Sequence, residues 1–218
     1  IYATLNRYTD AYNIYEIIKN TYAKFYGDNC LQMSHVKMAE ASLLIQEGKI
    51  TDALLILENI QDKYLAIFGE SNSQMLSIDN LLASAYLQDS QVERAKSLFV
   101  KALEIAESNF GKNSAASISP LTGLGNFFLN FDVDLDMAKM YFNRASIASS
   151  FVFGSNHVNT QIIDASIASI SLRQGKLQEA FKVFKRYLTT VQQTLGSTST
   201  VHTRLAEAYA YMGQYYLA

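Results

Sequence analysis

The stretch ALEIAESNFGKNSA, from Ala102 to Ala115, decides the fold because it contains an aromatic residue followed directly by a glycine, Phe110 and Gly111. The same kind of pair, a bulky apolar or aromatic residue followed by a glycine, recurs at Gly27, Gly69, Gly154 and Gly196. The five glycines lie 42, 42, 43 and 42 residues apart. A constant interval of this size is typical of stacked repeats. Each glycine is expected to end a helix as a left-handed cap, directly after the last residue of that helix's apolar stripe.

Small residues recur in two further columns of the repeat. One column lies five residues after the polar turn of each repeat, and both ends of the chain supply an equivalent position. Its members are Ala11, Ala53, Ala95, Ala138, Ala180 and Ala218. The other lies seven residues before the turn and contains Ala41, Ala83, Gly125, Ala168 and Ala206. Apolar residues between the columns recur at spacings of three and four, which indicates helices. Small side chains allow two antiparallel helices to approach closely, so each repeat is predicted to be a helix, a short turn and a second helix.

The order of these residues resembles the tetratricopeptide repeat: a small residue, an aromatic residue three later, a turn, then an alanine with an aromatic residue four beyond it. The usual repeat has about 34 residues, and eight more residues add roughly one turn to each helix at 3.6 residues per turn. A repeat of 42 residues closed by glycine is similar to those of kinesin light chains. The most similar stretches are 102–115 and QGKLQEAFKVFKRYL, residues 174–188.

The resemblance covers essentially the whole chain and implies an all-α fold, a right-handed α-solenoid of antiparallel helix pairs. We predict one solenoid over 1–218, with a partial repeat 1–27, four whole repeats 28–69, 70–111, 112–154 and 155–196, and a partial repeat 197–218. Because the first residue is Ile1, we expect this to be a piece of a longer protein.

In tetratricopeptide stacks the first helix of each pair lines the concave face, and the resemblance implies where a peptide would bind. The predicted contact residues are mostly neutral amides and hydroxyls, which can hydrogen-bond a peptide backbone. They are Met38, Ser42, Gln46, Asn80, Ser84, Gln88, Thr122, Asn126, Asn130, Ser169, Arg173 and Thr203. The same rule also points Leu129 and Ala165 inward. Kinesin light chains carry an Asn-Asn pair just before the small residue of the first helix, and here only Asn80 occupies such a position.

Composition excludes several classes of protein. Hydrophobic residues make up 49% of the chain and the net charge is -2, which does not give the basic surface of a nucleic-acid binder. No stretch approaches the roughly 18 consecutive apolar residues of a membrane span. Cys30 is the only cysteine, so neither an internal disulfide nor a zinc cluster of cysteines can form. Together with the absence of Asn-x-Ser/Thr sites, this favours a cytoplasmic location.

No group of residues points to catalysis, a cofactor or a metal. His35, His157 and His202 share no i, i+4 spacing, which a helical metal pair would need. DVDLD, residues 132–136, begins like a calcium loop but has Met137 in place of the required glycine, so a solvated turn is the better interpretation. TGLGN, residues 122–126, has two glycines but no preceding strand, and Gly125 belongs to a small column. The tyrosines, among them Tyr86, Tyr141 and Tyr209, are expected to fill the core. The chain is therefore predicted not to be an enzyme.

The third repeat contains the single proline, Pro120, and two glycines, Gly123 and Gly125. Either its first helix begins late, with Ser119 as the cap and Pro120 at the first position, or the helix is kinked there. In both cases this repeat is expected to be the softest part of the solenoid.

These observations favour a non-enzymatic scaffold that binds a peptide or a partner helix in its concave face. The resemblance to kinesin light chains implies a cargo-adaptor role, with the kinesin heavy chain as a partner. Two alternatives stay open. One is a structural module that assembles with itself through exposed repeat ends or edges, and the other is a regulator that responds to a bound peptide.

Overall fold

The computed structural model describes residues 8–27 and 30–194, and near the end of the chain residues 209, 210, 213, 215 and 216. Within 8–194 the described residues form nine α-helices and no strands. The helices are α1 (Tyr8–Tyr26), α2 (Leu31–Gln46), α3 (Ile50–Phe68), α4 (Met75–Gln88), α5 (Val92–Phe110), α6 (Ala115–Asn130), α7 (Leu135–Phe153), α8 (Val158–Arg173) and α9 (Leu177–Thr194). Five positions of the sequence prediction lie outside the described residues: Gly196, His202, Thr203, Ala206 and Ala218.

The chain divides into two compact units, Ile1–Ile105 and Ala106–Ala218. In the first unit α1 packs on α2, α2 packs on α3 and α4, and α3 packs on α4. In the second unit α6 packs on α7, α7 on α8, and α8 on α9. Helices that follow one another through a short turn and pack side by side run antiparallel. The predicted all-α class and the predicted helix pairs are confirmed.

The two small-residue columns lie in the core of each unit. Every described alanine of both columns is buried: Ala11, Ala41, Ala53, Ala83, Ala95, Ala138, Ala168 and Ala180. In the second unit Ala165, Ala168 and Ala180 pack with Phe184, Tyr187 and Val191 in one cluster. The columns therefore mark the contact lines between helices.

The described periodic glycines end helices as predicted, although Gly69 and Gly154 do not have the conformation that was predicted. The backbone of Gly69 has φ 75° and ψ 171°, and that of Gly154 has φ 96° and ψ 153°. These values combine a positive φ with an extended ψ, which essentially only glycine adopts, so the prediction of a left-handed helical cap was wrong. The N–H of Gly69 still donates to the carbonyl of Leu65, 3.0 Å away, and the chain leaves the helix after that bond.

The aromatic residue directly before each described periodic glycine was expected to be the last residue of the apolar stripe, but it is not buried. The side chain of Phe110 is 55% exposed, and those of Tyr26 and Phe153 are exposed as well. Tyr209, which was expected to fill the core, is 56% exposed, whereas Tyr86 is buried. The last turn of a second helix therefore projects beyond the core of the pair.

The turn inside each pair needs one residue with a positive φ. Gly48 and Gly175 supply it with φ 78°, and Ser90 occupies the same place with φ 62°. In the third repeat, whose turn is one residue longer, the residue is Val133 with φ 54°. Asp134 then caps α7, because its carboxylate accepts the backbone N–H groups of Asp136 and Met137.

Helix α6 does not begin late. It starts at Ala115 and continues through Pro120, which is buried inside the helix. A proline has no N–H, so the carbonyl of Ala116 lacks the bond that position 120 would normally donate. Of the two predicted alternatives, the late start at Ser119 was wrong.

Candidate functional site

The predicted contact residues lie on the first helix of each pair. In the first unit α2 carries Met38, Ser42 and Gln46, and α4 carries Asn80, Ser84 and Gln88. In the second unit α6 carries Thr122, Asn126 and Asn130, and α8 carries Ser169 and Arg173. Residues four apart share one side of a helix. We call each set the first-helix face of its unit. None of these eleven side chains is buried, whereas Thr203 lies outside the described residues.

Two of the aliphatic residues that the same rule pointed inward, Leu129 and Ala165, are not accessible, whereas Ile45, Leu87 and Leu172 are partly exposed. Leu129 is buried, and Ala165 is completely buried in the cluster around Phe184. Both belong to the core of the second unit, and their predicted role as contact residues was wrong.

Three of the four hydroxyl groups on these faces, those of Ser84, Thr122 and Ser169, are used by their own helices. Ser84 Oγ donates to the carbonyl oxygen of Asn80 at 2.9 Å, and Thr122 Oγ1 donates to that of Ile118 at 2.8 Å. Ser169 Oγ donates to the carbonyl oxygen of Ala165 at 3.1 Å. Such bonds, from a side chain to the carbonyl four residues earlier, are common for serine and threonine within helices. These three hydroxyls therefore have no proton left to donate to a ligand.

The amide groups remain available. Gln46, Gln88, Asn126 and Asn130 are exposed, and within the described part of the chain none of their side chains forms a hydrogen bond. A side-chain amide offers two donors and one acceptor, so it can pair with both the C=O and the N–H of a peptide backbone. The first-helix faces thus present free amides, with three hydroxyls beside them that can only accept a hydrogen bond from a ligand.

Among the predicted contact residues that the structure describes, Arg173 is the one that carries a positive charge. Its Nη1 donates to the carbonyl oxygen of Leu129 at 3.4 Å, which ties the end of α8 to α6. The residue is otherwise exposed, and a guanidinium has five N–H donors, so most of them stay free for a ligand.

Asn80 differs from the other amides because it is half-buried. Its Oδ1 is buried and accepts no hydrogen bond from the described residues. A buried acceptor without a donor costs about 1 to 3 kcal/mol. A ligand N–H that reached this atom would remove that cost.

Sequence reasoning missed a buried carboxylate directly beside Asn80. Asp79 is 0% exposed, and Gln61 Nε2 donates to its Oδ1 at 2.8 Å. Its other oxygen, Oδ2, lies 3.8 Å from Lys101 Nζ and accepts no hydrogen bond from the described residues. Burial raises the pKa of the Asp79 carboxyl, while the bond from Gln61 and the charge of Lys101 act against this shift.

The second unit contains an equivalent group at Asp164. Its carboxylate accepts a hydrogen bond from Ser146 Oγ at 2.6 Å and pairs with Arg186 Nη2 at 2.8 Å. In both units the partners lie 18 residues before and 22 residues after the aspartate. That shared spacing was a signal in the sequence, since the repeat brings the same three positions together twice.

Tyr86 has a structural role that agrees with its predicted place in the core. Its hydroxyl donates to Glu58 at 2.7 Å, and Arg94 lies over its ring at 5.7 Å. Burial, with the neighbouring Glu58 carboxylate, raises the pKa of Tyr86 to about 12. The phenol therefore stays protonated at neutral pH and links α4 to α3.

His157 has a local role. Its Nδ1 accepts the backbone N–H of Asn159 at 3.2 Å and so caps α8, while its ring stacks on that of Phe153 at 5.0 Å. Among the described residues, no three His, Cys, Asp or Glu side chains come together in a way that could hold a metal ion.

No helix in the described part of the chain combines the length and the apolar character that crossing a membrane requires.

Comparisons with known proteins give matches among solved structures. No protein-family model matches the chain. No curated protein matches it either.

Two of the similar structures show the nearly identical TPR-like repeats of a protein described as a kinesin light chain of Podosopora anserina. The first has a TM-score of 0.64 at 18% identity and covers 85% of this chain and 90% of its own. The second, a variant of the same protein with one substitution, has a TM-score of 0.62 at 19% identity and covers 83% and 86%. A third structure, BtubC (BKLC) from P. vanneervenii, has a TM-score of 0.69 at 16% identity and covers 97% and 85%. The fold of this chain is therefore that of the TPR-like repeats found in kinesin light chain structures.

Proposed function

We propose that this chain is a non-enzymatic scaffold whose first-helix faces bind a segment of polypeptide. The observation that supports the proposal most directly is the unused set of side-chain amides on α2, α4 and α6. Four exposed amides form no bond with the described residues, whereas three of the four hydroxyls on these faces donate to their own helices. Side-chain amides suit a peptide backbone, which carries one donor and one acceptor per residue.

Arg173 and Asn80 give the two faces different preferences. Arg173 makes the face of the second unit suited to a ligand with a carboxylate or a backbone carbonyl. Asn80, whose buried oxygen has no partner among the described residues, makes the face of the first unit suited to a ligand N–H. We expect a peptide bound to each face to satisfy the group on that face.

The experiment compares two triple variants of the full chain. A library of random peptides of about ten residues, which span roughly 33 Å when extended, is selected on the wild-type protein, and the affinities of the enriched peptides are then measured. Asn80→Ala, Asn126→Ala and Arg173→Ala together should weaken these peptides by about 10-fold or more, because each lost hydrogen bond contributes about 0.5 to 1.5 kcal/mol.

The matched control replaces the occupied hydroxyls on the same helices: Ser84→Ala, Thr122→Ala and Ser169→Ala. Because those protons already serve the helix backbone, the control should bind the peptides as the wild type does. Unchanged binding by the first triple variant, or an equal loss in both, would contradict the proposal.

A cargo-adaptor role is the finer form of this proposal. It is supported by the similarity in fold to structures described as kinesin light chain repeats. The partner that this role implies is the kinesin heavy chain. Co-sedimentation of this chain with a purified kinesin heavy chain tests it, and an absence of complex would limit the proposal to peptide binding.

A second candidate function is self-assembly. It is favoured by three apolar side chains on the outer side of α7, Met140, Ile147 and Phe151, which we call the α7 apolar stripe. All three are exposed, and Phe151 is 79% exposed. Exposed apolar patches commonly mark protein contacts.

A further inference from the structure

A cleft in the second unit lies along one side of α9 and shares no residue with the first-helix faces. Its volume is about 830 Å³, and its lining extends along α9 from Gln178 to Gln193. Gln161, in the first turn of α8, closes it near the end of α9, and Phe181 gives it an apolar wall. A cleft of this size lies within the range of about 300 to 1,000 Å³ that is usual for ligand pockets.

The charge of the cleft is positive. Lys182, Lys185 and Arg186 lie within one turn of each other on α9, and no carboxylate is among the described residues that line the cleft. Arg186 is paired with Asp164 at 2.8 Å, but within the described structure Lys182 and Lys185 form no ion pair. Two ammonium groups one helical turn apart attract a ligand that carries more than one negative charge.

Gln161 supplies a second and independent sign of a ligand. The residue is 1% exposed, and its Oε1 has no hydrogen-bond partner within the described structure. A buried polar atom is nearly always bonded in a folded protein, so an orphan on the wall of a cleft points to a donor that the folded chain does not provide. The missing group is an N–H or O–H on the ligand.

We propose that this cleft binds an acidic segment of another polypeptide in an extended conformation. Its carboxylates pair with Lys182 and Lys185, and a backbone N–H donates to Gln161 Oε1. The stretch of α9 from 178 to 193 is roughly 22 Å long at 1.5 Å per residue, which corresponds to about six or seven extended residues. An inorganic anion would supply the charge but neither this length nor an amide donor. The proposal does not rest on peptide binding by the first-helix faces.

The test uses a fluorescein-labelled peptide of alternating Glu and Ala, and a second peptide with Gln in place of every Glu, each titrated with the full chain. The Glu peptide should bind, and the Gln peptide should bind at least about 10-fold more weakly. Lys182→Glu with Lys185→Glu should lower the affinity for the Glu peptide by about 10-fold or more, since it replaces two attractions by two repulsions. The matched control, Lys24→Glu with Lys112→Glu, reverses the same number of exposed charges outside the cleft and should bind as the wild type does.

The substitution Gln161→Leu tests the contribution of the Gln161 amide separately from that of the two lysines. It removes the orphan acceptor without adding a polar group, so the melting temperature should not fall, whereas the affinity for the Glu peptide should drop by about fivefold. The triple variant of Asn80, Asn126 and Arg173 should retain the Glu peptide, so a failed first-helix face and a failed cleft give different results.

Three results would overturn the proposal. The first is displacement of the Glu peptide by orthophosphate at an equal concentration, which would make the cleft a site for a small anion. The second is a loss of binding in the first-helix triple variant but not in the lysine variant. The third is a titration signal that comes entirely from a change in the oligomeric state of the protein. That result would make the cleft a contact between two copies of this chain.

Discussion

Gly125 is a residue at which α6 and α7 approach each other closely. A Cβ atom at this position would lie 2.8 to 2.9 Å from three ring carbons of Phe142 on α7. The other described members of its column are alanines, so this glycine answers a local need for space. We expect Gly125→Ala to lower stability by up to about 2 kcal/mol, because overpacking costs about 1 to 3 kcal/mol and the gain in helix propensity is about 1 kcal/mol. Thermal unfolding measures the change.

The control for Gly125 is a double variant. Phe142→Leu alone should destabilise the protein because a buried ring is lost. Combined with Gly125→Ala, it should cost less than the sum of the two single changes, since the smaller side chain makes room for the added methyl group. Strict additivity would show that the ring does not oppose a Cβ at 125.

Asp79 is the residue at which charge and burial conflict. Because burial raises its pKa in the folded state, the folded protein holds this proton more tightly than the unfolded chain does. Stability must then decrease as the pH rises above the ordinary carboxyl pKa of about 3.9 towards the raised value. Asp79→Asn retains the acceptor for Gln61 and removes the charge. We therefore expect this substitution to stabilise the protein at neutral pH. The expected gain is about 1.4 kcal/mol for each pH unit by which the pKa of Asp79 in the folded protein exceeds its pKa in the unfolded chain.

The pH dependence of this gain identifies its cause. In urea unfolding, the advantage of Asp79→Asn over the wild type should shrink as the pH is lowered towards about 4, where the wild-type carboxyl is itself protonated. Asp164→Asn is the matched control, because Asp164 has a bond from Ser146 and an ion pair with Arg186. That change should destabilise at neutral pH, by less than about 1 kcal/mol for a partly exposed pair. A destabilised Asp79→Asn at neutral pH would show that the charge itself is needed.

At the scale of the element, we expect α6 to have the least stable backbone of the described helices. Pro120 removes one hydrogen bond, and Gly123 and Gly125 each cost about 1 kcal/mol in helix propensity. Amide hydrogens of residues 119–130 should therefore exchange faster than those of residues 76–88 in α4. Pro120→Ala restores the donor to Ala116 and should slow exchange in this segment. Equal protection of the two segments in the wild type would contradict the prediction.

The helices themselves were largely predictable from the sequence. The glycine interval and the two small columns indicated where second helices end and which faces pack, because a period of 42 residues repeats the same local requirement several times. The backbone conformation of Gly69 and the exposure of Phe110 were not predictable. A glycine in a sequence permits several conformations with positive φ, and an apolar residue at the last turn has a partner only if the next element reaches it.

The candidate faces were predictable as positions but not as chemistry. Sequence spacing placed Ser84 and Asn126 alike, on the first helix of a pair. Whether a side chain is available depends on its rotamer, and Ser84 turns its hydroxyl to the carbonyl of Asn80 while the amide of Asn126 stays exposed. The aspartates were missed for another reason. Each aspartate and its two partners lie on three different helices, and the shared spacing becomes visible only when the two units are aligned.

At the scale of the whole molecule, the second helices carry different surfaces in the two units. On α9 the outward side is basic, with Lys182 and Lys185, whereas the corresponding positions of α3 are Leu55 and Glu58. On α7 the outward side is apolar. A chain of similar repeats thus offers several chemically distinct surfaces outside the first-helix faces, and each can be tested separately.

The α7 apolar stripe leads to a prediction about association. Met140, Ile147 and Phe151 lie seven and four residues apart, on one side of α7, and all are exposed. Burying them between two copies would remove apolar surface from water, which stabilises by about 25 cal/mol for each Å². We expect the weight-average mass in sedimentation equilibrium to rise with concentration for the wild type and to stay monomeric for Ile147→Lys with Phe151→Lys. Binding of peptides to the first-helix faces should be unchanged, because no residue of the stripe belongs to them.

The matched control is Leu55→Lys with Ile67→Lys, since both residues are exposed on α3 and the same number of lysines is introduced. A monomeric wild type at every concentration, or equal dissociation in the control, would show that the stripe does not mediate self-assembly.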